Sequence, residues 1–575
     1  MPLKVRRQID VIGVCGIAGV ISKDGSNVSP KLEMMLESIR HRGPDGCGVA
    51  VGQSIRRGST VDDIDFGELS GPVGLGHTRL AIVGGFHGQQ PLQDCDKKLT
   101  CVHNGEIYNF RELREGLART HNFVTRSDSE TIVHLVEERL SKGLSSAVEE
   151  TLKLLDGMYA LAIMNGKEIV ITRDMMGIKQ LYVGENEQFI AFASERKALW
   201  SVGITDEQRL PPGSIARASS SGLVIRKVTE PRLDREKSIK DIDEAVAMYS
   251  DTLIKAVKKR VRGLERVGII FSGGIDSLMI AHIARRYCDV TCYTGGLVDS
   301  GDVKFAKDSA ERLNLPIRVN VLSLQDIERL IPGIVEAIED RQFGQIEVAI
   351  PIYAAVERAH EDGLKVVLTG QGADELFGGY PWYRRIVEIE GYESFDEYSK
   401  GDILNIYRET LEREDKITMR HSIELRVPFL DPEIIEISRS MDDRLKIRSP
   451  NDRLGKFVHR EVAKRLGIPR DLADRPKEAA QHGSGSHDAL LRIAKRNGYD
   501  EPLLSRLDYD PSKSVREQLG SSVRYGYKYG EKDMWTSPGY VQLYIDVIAT
   551  ENNLINQDEK KYLAPILQTI NSLRT

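Results

Sequence analysis

The sequence predicts two halves of different class. Residues 15–215 read as an α+β half of antiparallel sheets covered by helices, and residues 241–486 as an α/β half built on a doubly wound parallel sheet. Three observations carry this. Before residue 215, short apolar stretches alternate with glycine-rich turns and few helical patterns intervene. After residue 241, β-branched runs alternate with helix-length amphipathic segments. A chain of 575 residues is also too long for a single core.

In the first half, CGIAGVIS, GLGHTRLAIV, LTCVHNGEIYN, MYALAIMNG, EIVITRD and FIAFASE are strand-length pieces, and SPKLEMMLESIRH and SDSETIVHLVEERLSKG are helical. The stretch LPPGSIARASSSG (210–222) reads as a domain edge, and 216–240 as a linker. In the second half, DEAVAMYSDTLIKAVKKRV is a helix and RVGIIF a fully buried strand. Helix IDSLMIAHIARRY, strand VTCYTGGL, helix DVKFAKDSAERLN, strand IRVNVLS, helix IPIYAAVERAHEDG and strand KVVLTG follow, which are βαβ units. Residues 487–575 read as a C-terminal helical extension with no assigned role.

Composition narrows the function classes. The net charge of −6 argues against a nucleic-acid footprint, which needs a basic excess. No apolar run approaches the ~20 residues of a membrane helix, so no membrane partner is expected. The first fourteen residues contain Asp10 and lack a long apolar core, which argues against a secretory signal. Six cysteines are few for this length, and a reduced cytoplasmic setting is the default. His282, Cys288 and Cys292 lie close in sequence without a zinc spacing, and core packing is the favoured reading.

In VGIIFSGGIDSLMI (267–280) a buried strand runs into Ser272-Gly273-Gly274, and a helix begins near Asp276. Glycines admit an anion close to the backbone and a helix N-terminus donates free N–H groups, so this is a phosphate cradle. It is not a Walker loop, because no G-K-[ST] follows. An acid beside a phosphate suits a bridging Mg²⁺. The plainer reading is a tight strand–helix turn. KVVLTGQGADELFGGY (365–380) is a second strand followed by an acidic glycine loop, so Asp276 and Asp374 could share a metal. Its plainer reading is a capped helix at Asp374.

SGGIDS, TGQGADELFGGY and HSIELRVPFLD (421–431) resemble the PP-loop domain of the glutamine-hydrolysing asparagine synthetase family. CGIAGV, HRGPDG, GHTRLAIV, HNGEIYN, SDSE and RDMMGIKQLYVG resemble, in order, its Ntn-type αββα glutaminase domain. The resemblance spans roughly residues 15–485. It implies ATP-dependent transfer of ammonia from glutamine to aspartate through an acyl-adenylate, with asparagine, glutamate, AMP and pyrophosphate as products. ATP and Mg²⁺ are implied, with glutamine and aspartate as the other small molecules. A cytoplasmic enzyme is implied, and a homodimer is the expected assembly.

By resemblance, Cys15 attacks the glutamine amide, with its own α-amine as base. Arg79 clamps the substrate carboxylate, and Leu80, Ile82 and Val83 line the same pocket. Asn104 and the Gly105 N–H form the oxyanion hole, and Glu106 and Asp128 hold the substrate ammonium. Each has a plainer alternative: a surface ion pair for Arg79, a hairpin turn for Asn104-Gly105, a helix cap for Asp128. The ATP site would comprise Ile270, Ser272, Gly273, Gly274, Asp276, Ser277, Gly295, Thr369 and Gly370, with Asp276 and Asp374 on the metal. Lys456 matches a family lysine that neutralises charge building on the phosphates. Ammonia would travel by a closed interdomain path.

The family's cysteine needs a free amine, yet fourteen residues precede Cys15. Val14 could be a GTG start codon, giving Met-Cys and then Cys15 after methionine removal. Alternatives are a self-cleaved propeptide, or a retained extension with an inactive glutaminase. VIGV shows no cleavage signal, which favours the false start.

Two departures stand out. Gln371 replaces the family's usual glutamate, and Glu347 replaces its usual basic residue. The expectation is that Glu347 takes over as the catalytic acid–base at Gln371; a surface ion pair is the alternative. A related PP-loop amidotransferase acting on another carboxylic acid is the competing function, and ring-closing relatives tend to lose the glutaminase residues kept here. A non-catalytic protein would be expected to lose Cys15, Arg79, Asp276 or Asp374, and all are present.

Overall fold

The structure is a computed structural model and describes residues 12–83, 88–476, 480–511, 528–529, 532–533, 538–555 and 557–574. The chain divides into two compact units, residues 1–230 and 231–575. Of the expected extension, residues 1–11 lie outside the described residues. Residues 12–14 enter the first strand, Ile12–Ser22.

The N-terminal unit holds a seven-stranded and a six-stranded sheet with antiparallel pairings. Strand Ile12–Ser22 sits inside the first sheet, between Val73–Val83 and Phe189–Ala193. Ile17, Leu75, Val102, Ala162, Ile171 and Val183 fill the space where the two sheets face each other. Helix Ser29–Ser38 packs its buried Leu32, Met35 and Leu36 on the outside of the first sheet. Helix Asp128–Glu137 does the same for the second sheet through Ile132, Val133 and Val136. These are the four layers expected, and they follow from each sheet having two apolar faces to cover.

The linker reading needs correction at its start. Residues 214–227 form a hairpin, Ser214–Ser219 with Gly222–Lys227, at the edge of the six-stranded sheet. Ala216 and Ala218 face the core while Arg217 between them is exposed, a period-2 pattern in small residues that the serine-rich composition hides.

HRGPDG turns out to be an anchored loop. Arg42 is fully buried and donates to Glu195 at 2.9 Å. Lys197 and His41 lie 2.7 and 3.1 Å from the same carboxylate. Burial alone would raise the Glu195 carboxyl, but His41, Lys197 and Arg42 together hold it well below the usual carboxylate range. Removing one partner of such a pair strands the other, so Glu195→Ala is expected to cost about 3–5 kcal/mol of unfolding free energy. Urea denaturation checks this; a loss below about 1 kcal/mol would mean the pair does not hold the loop.

The C-terminal unit contains a five-stranded, all-parallel sheet. Its order is Ile317–Leu322, Asp289–Leu297, Arg266–Ile270, Val366–Leu368, Glu424–Arg426. The chain starts in the middle, moves outward to one edge and returns to the other side of the first strand. The point of reversal lies between Arg266–Ile270 and Val366–Leu368, where parallel sheets open a crevice at their carboxyl ends. Helix Ile275–Ala284 connects the first two strands, and Phe343–Glu361 packs on Asp289–Leu297.

Phe343–Glu361 begins earlier than the sequence suggests, so Glu347 lies within the helix and Pro351 interrupts it. Proline has no N–H to give the carbonyl four residues back, which is that of Glu347. The Ser486 hydroxyl donates to that carbonyl instead, at 2.5 Å. Past residue 486 the described helices include Ser486–Arg496 and Gly539–Glu551. Arg341 binds Asp546 of the latter at 2.9 Å, tying it to the body of this unit. Most of VRYGYKYGEKDMW lies outside the described residues.

Candidate active sites

In the N-terminal unit, antiparallel register sets Cys15 directly opposite Arg79 and Val14 opposite Leu80. The HRGPDG loop holds the Arg79 backbone from both sides. Asp45 N–H donates to Arg79 O at 2.8 Å and Arg79 N–H donates to Gly46 O at 2.8 Å. The Asp45 carboxylate then accepts the Ala81 N–H at 2.9 Å. Burial pulls the Arg79 guanidinium down, while Cys15 and Asp45 oppose that shift.

Asn104 and Gly105 lie inside strand Thr100–Ile107 of the second sheet, not in a hairpin turn. The two sheets meet here: the Cys15 N–H donates to Asn104 Oδ1 at 3.2 Å. Asn104 Nδ2 is buried with no acceptor among the described residues, a donor available to an oxyanion. Gly105 has φ +144, and a Cβ there would sit 2.7 Å from Tyr159 Cα, so only glycine keeps this backbone. Asp128 is buried in the first turn of its helix, but Ser127 supplies the cap. The Asp128 carboxylate accepts the Ile107 N–H at 2.9 Å, beside the buried Glu106. Leu80, Ile82 and Val83 continue the Arg79 strand.

In the C-terminal unit, strand Arg266–Ile270 delivers Ser272-Gly273-Gly274, and Asp276 and Ser277 open helix Ile275–Ala284. Ser272 Oγ accepts the Gly274 N–H at 3.2 Å, and Ser277 Oγ donates to Gly274 O at 3.1 Å, closing the loop. Gly273 turns at φ +73 against Ala306. Thr369 and Gly370 leave the neighbouring strand, and a methyl on Gly370 would lie 2.7 Å from Asp276 Cβ. Gly295 lies one strand over, against Pro351 and Ala354.

Asp276 and Asp374 converge on one cation, the Lys456 ammonium. It lies 2.7 and 2.8 Å from the two Asp276 oxygens and 2.7 Å from Asp374 Oδ1. Burial would lower the Lys456 ammonium, but the two carboxylates outweigh it and hold it raised. The carboxylates keep 21% and 13% of their side-chain surface exposed against 3% for Lys456, so a ligand reaches the acids first. Two acids already sharing one cation are a donor set that fits a divalent ion. His459, one turn beyond Lys456, went unread in the sequence. Its Nε2 lies 3.0 Å from Asp276 Oδ1, and its Nδ1 is 2.8 Å from the Tyr249 hydroxyl. Burial lowers its pKa despite Asp276.

The expected partnership of Glu347 with Gln371 is not formed. Glu347 is buried and pairs with His487 Nδ1 at 2.7 Å. Gln371 Nε2 donates instead to Glu414, a fully buried carboxylate on helix Glu412–Arg420. Glu347's helix starts four residues before it and turns the side chain toward 484–487. Burial pushes the Glu414 carboxyl up, with Arg413 and hydrogen bonds from Gln371 and Thr369 acting against it. Nothing in REDKITMRH marks Glu414 out, because its neighbour across the crevice is 43 residues away.

A two-sheet unit with a buried cysteine, followed in one chain by a parallel sheet with acidic loops at its reversal point, is the layout of a glutamine-dependent amide-forming ligase. Residues 14–212 match the family model for the glutamine amidotransferase domain, and 248–388 and 387–537 match that for asparagine synthase. The second match therefore runs past residue 486. A protein of Methanocaldococcus jannaschii, provisionally named asparagine synthetase [glutamine-hydrolyzing] 1, is 37% identical over 555 residues, covering 88% of this chain and 100% of that one. Asparagine synthetase [glutamine-hydrolyzing] 3 of Arabidopsis thaliana is 30% identical over 491 residues, covering 82% and 79%. The chain belongs to the glutamine-hydrolysing asparagine synthetase family. It is a carbon–nitrogen ligase of asparagine biosynthesis with glutamine as amido donor, from a family that uses ATP. No helix among the described residues is long and apolar enough to cross a membrane.

Proposed function

We propose that the chain moves the amide nitrogen of glutamine onto the side-chain carboxylate of aspartate, activated as an acyl-adenylate, with glutamate, AMP and pyrophosphate as the other products. The observation that carries this is the convergence of Asp276 and Asp374, from two strand-end loops at the sheet's reversal point, on one buried ammonium. That arrangement suits splitting ATP between its α and β phosphates with the pyrophosphate held in the SGG cradle.

In the N-terminal unit, Cys15 Sγ attacks the glutamine carbonyl and forms a thioester, releasing ammonia; water then hydrolyses the thioester to glutamate and the free thiol. The base would be the α-amine of Cys15 in a form that lacks the preceding residues; an ordinary α-amine pKa of ~7.7–8.0 leaves a neutral fraction at pH 7. Asn104 Oδ1, which accepts the Cys15 backbone N–H, would orient that amine. Asn104 Nδ2 and the Gly105 N–H receive the oxyanion, Arg79 holds the substrate carboxylate, and Glu106 and Asp128 its ammonium.

In the C-terminal unit, Ile270, Gly295, Thr369 and Gly370 flank the nucleotide, and Ser272, Gly273, Gly274 and Ser277 meet its phosphates. Asp276 and Asp374 would hold Mg²⁺, which when bound neutralises and orients the pyrophosphate. Lys456 supports the charge building on the leaving phosphates, and His459 fixes Asp276. The acid expected at Glu347 is assigned to Glu414. A neutral Gln371 cannot take a proton from attacking ammonia, but the carboxylate bonded to it can. The free thiols fit a cytoplasmic setting.

The deciding experiment supplies glutamine, ATP, Mg²⁺ and a panel of carboxylic acids. Asparagine and AMP in equal amounts are expected. ADP in place of AMP would overturn the adenylate, and amidation of another acid alone would overturn the acceptor. Glu414→Gln is expected to lower amide formation on the order of a hundredfold, with adenylate formation much less affected. Because burial raises the Glu414 pKa, the base form is lost as pH falls through that raised value. The parent should lose amide synthesis on that acid limb, and Glu414→Gln should not show it. Glu347→Gln is expected to change the rate little; the reverse ordering of the two variants would return the role to Glu347.

A further inference from the structure

We propose that Cys95, His121, His134 and Glu137, none of them assigned to the glutamine site, form a binding site for a zinc-class divalent cation on the N-terminal unit. The four residues come from three segments. Cys95 lies in the loop between strands Leu92–Gln93 and Thr100–Ile107. His121 follows helix Phe110–Leu117, and His134 and Glu137 share the last turn of helix Asp128–Glu137. One ligand atom from each lies within 4.8 Å of all the others.

The geometry is that of ligands around one small ion. Cys95 Sγ lies 3.7 Å from His121 Nδ1 and 3.9 Å from His134 Nδ1. Glu137 Oε2 lies 3.0 and 2.9 Å from the same two nitrogens. Zinc bonds of ~2.0–2.1 Å to nitrogen or oxygen and ~2.3 Å to sulfur, set at tetrahedral angles, put such atoms about 3.3 and 3.6 Å apart. These four separations are within a few tenths of an ångström of those figures, and the other two pairs lie within 4.8 Å.

The surroundings match a metal site as well. Both histidines turn Nδ1 inward, and a second carboxylate faces each Nε2 without yet hydrogen-bonding to it. His121 Nε2 lies 3.5 Å from Glu138 Oε1, and His134 Nε2 lies 3.7 Å from Glu130 Oε1. In a loaded site these carboxylates are placed to take the outer N–H groups and so fix tautomer and ring orientation. One thiolate and one carboxylate with two neutral imidazoles carry two negative charges, which a divalent cation neutralises. The mixed sulfur, nitrogen and oxygen set favours zinc over magnesium or calcium. His134 is buried and His121 nearly so, while Cys95 is exposed, which gives the ion an entry path.

The ion would act as a clip. It joins the loop leading into the Asn104 strand to the far end of the helix that opens at Asp128. The spacing, 25 residues between Cys95 and His121 and 12 between the histidines, matches no common sequence pattern and hides the site.

The test uses the full-length protein with Cys15→Ala, so that the reactive thiol does not report. Elemental analysis of protein expressed with zinc should find about one zinc per chain. After chelation, Co²⁺ should restore one equivalent with tetrahedral absorption and a thiolate-to-cobalt charge-transfer band. Cys95→Ser, an exposed and nearly isosteric change, should remove that band from folded protein. His121→Asn should weaken Co²⁺ binding by about tenfold or more. Zinc well below one per chain, or the same metal content and spectrum in the parent and both variants, would overturn the proposal.

Discussion

Cys15→Ala is expected to abolish glutamine hydrolysis and glutamine-dependent amide synthesis, a loss of about 10⁴-fold or more. Alanine keeps the strand, since Cys15 is only 1% exposed and its N–H bond to Asn104 does not need the sulfur. In the register, Arg79 stands opposite Cys15, and neither its guanidinium nor the buried amide of Asn104 can serve as a nucleophile. Synthesis driven by added ammonium should persist near the parent rate, because the nucleotide crevice belongs to the other unit. Following glutamate, asparagine and AMP with each nitrogen source checks all three statements. Glutamate release that survives the substitution would remove Cys15 from its role.

Asp276→Asn is expected to lower AMP and pyrophosphate formation by about 10²–10³-fold and to leave much of the glutamine hydrolysis. The change removes a charge from the group that Lys456 and His459 both face. Lys456→Met probes the same cluster from the other side. It leaves Asp276 and Asp374 opposed without their cation, so its thermal midpoint should fall and should rise again with added Mg²⁺. A variant whose midpoint ignores Mg²⁺ would show that the two acids do not hold the ion.

The parallel sheet was legible because RVGIIF, VTCYTGGL and KVVLTG are buried on both faces and cannot alternate. The SGG and GQGADE loops were legible because glycine and acid fall just after such runs. The Gly222–Lys227 strand was not, since an edge strand with one solvated face needs little apolar content. Glu414, His459 and the Cys95 cluster were illegible for another reason. Each acts on a residue brought near only by the fold: Gln371 for Glu414, Asp276 for His459, and three separate segments for the cysteine. Glu347 does not meet Gln371, because leading the helix whose next strand delivers Gln371 says nothing about the direction of a side chain on that helix. The His487 that claims it lies 140 residues away.

Pro351 has a consequence for the way the C-terminal unit comes apart. The proline leaves the carbonyl of Glu347 without a donor from its own helix, and a hydroxyl 139 residues later supplies one. His487, next in the chain, takes the side chain of the same residue. The helix over 343–361 therefore cannot complete its own backbone pairing, and its integrity is written partly in the tail of the sequence. Loss of the segment around 484–487 would uncover a buried acid and an orphan carbonyl together, in the element that lies against Gly295. Helix and the 484–487 segment are thus expected to open together, and the same segment accepts the Leu297 N–H at the end of the strand that carries Gly295.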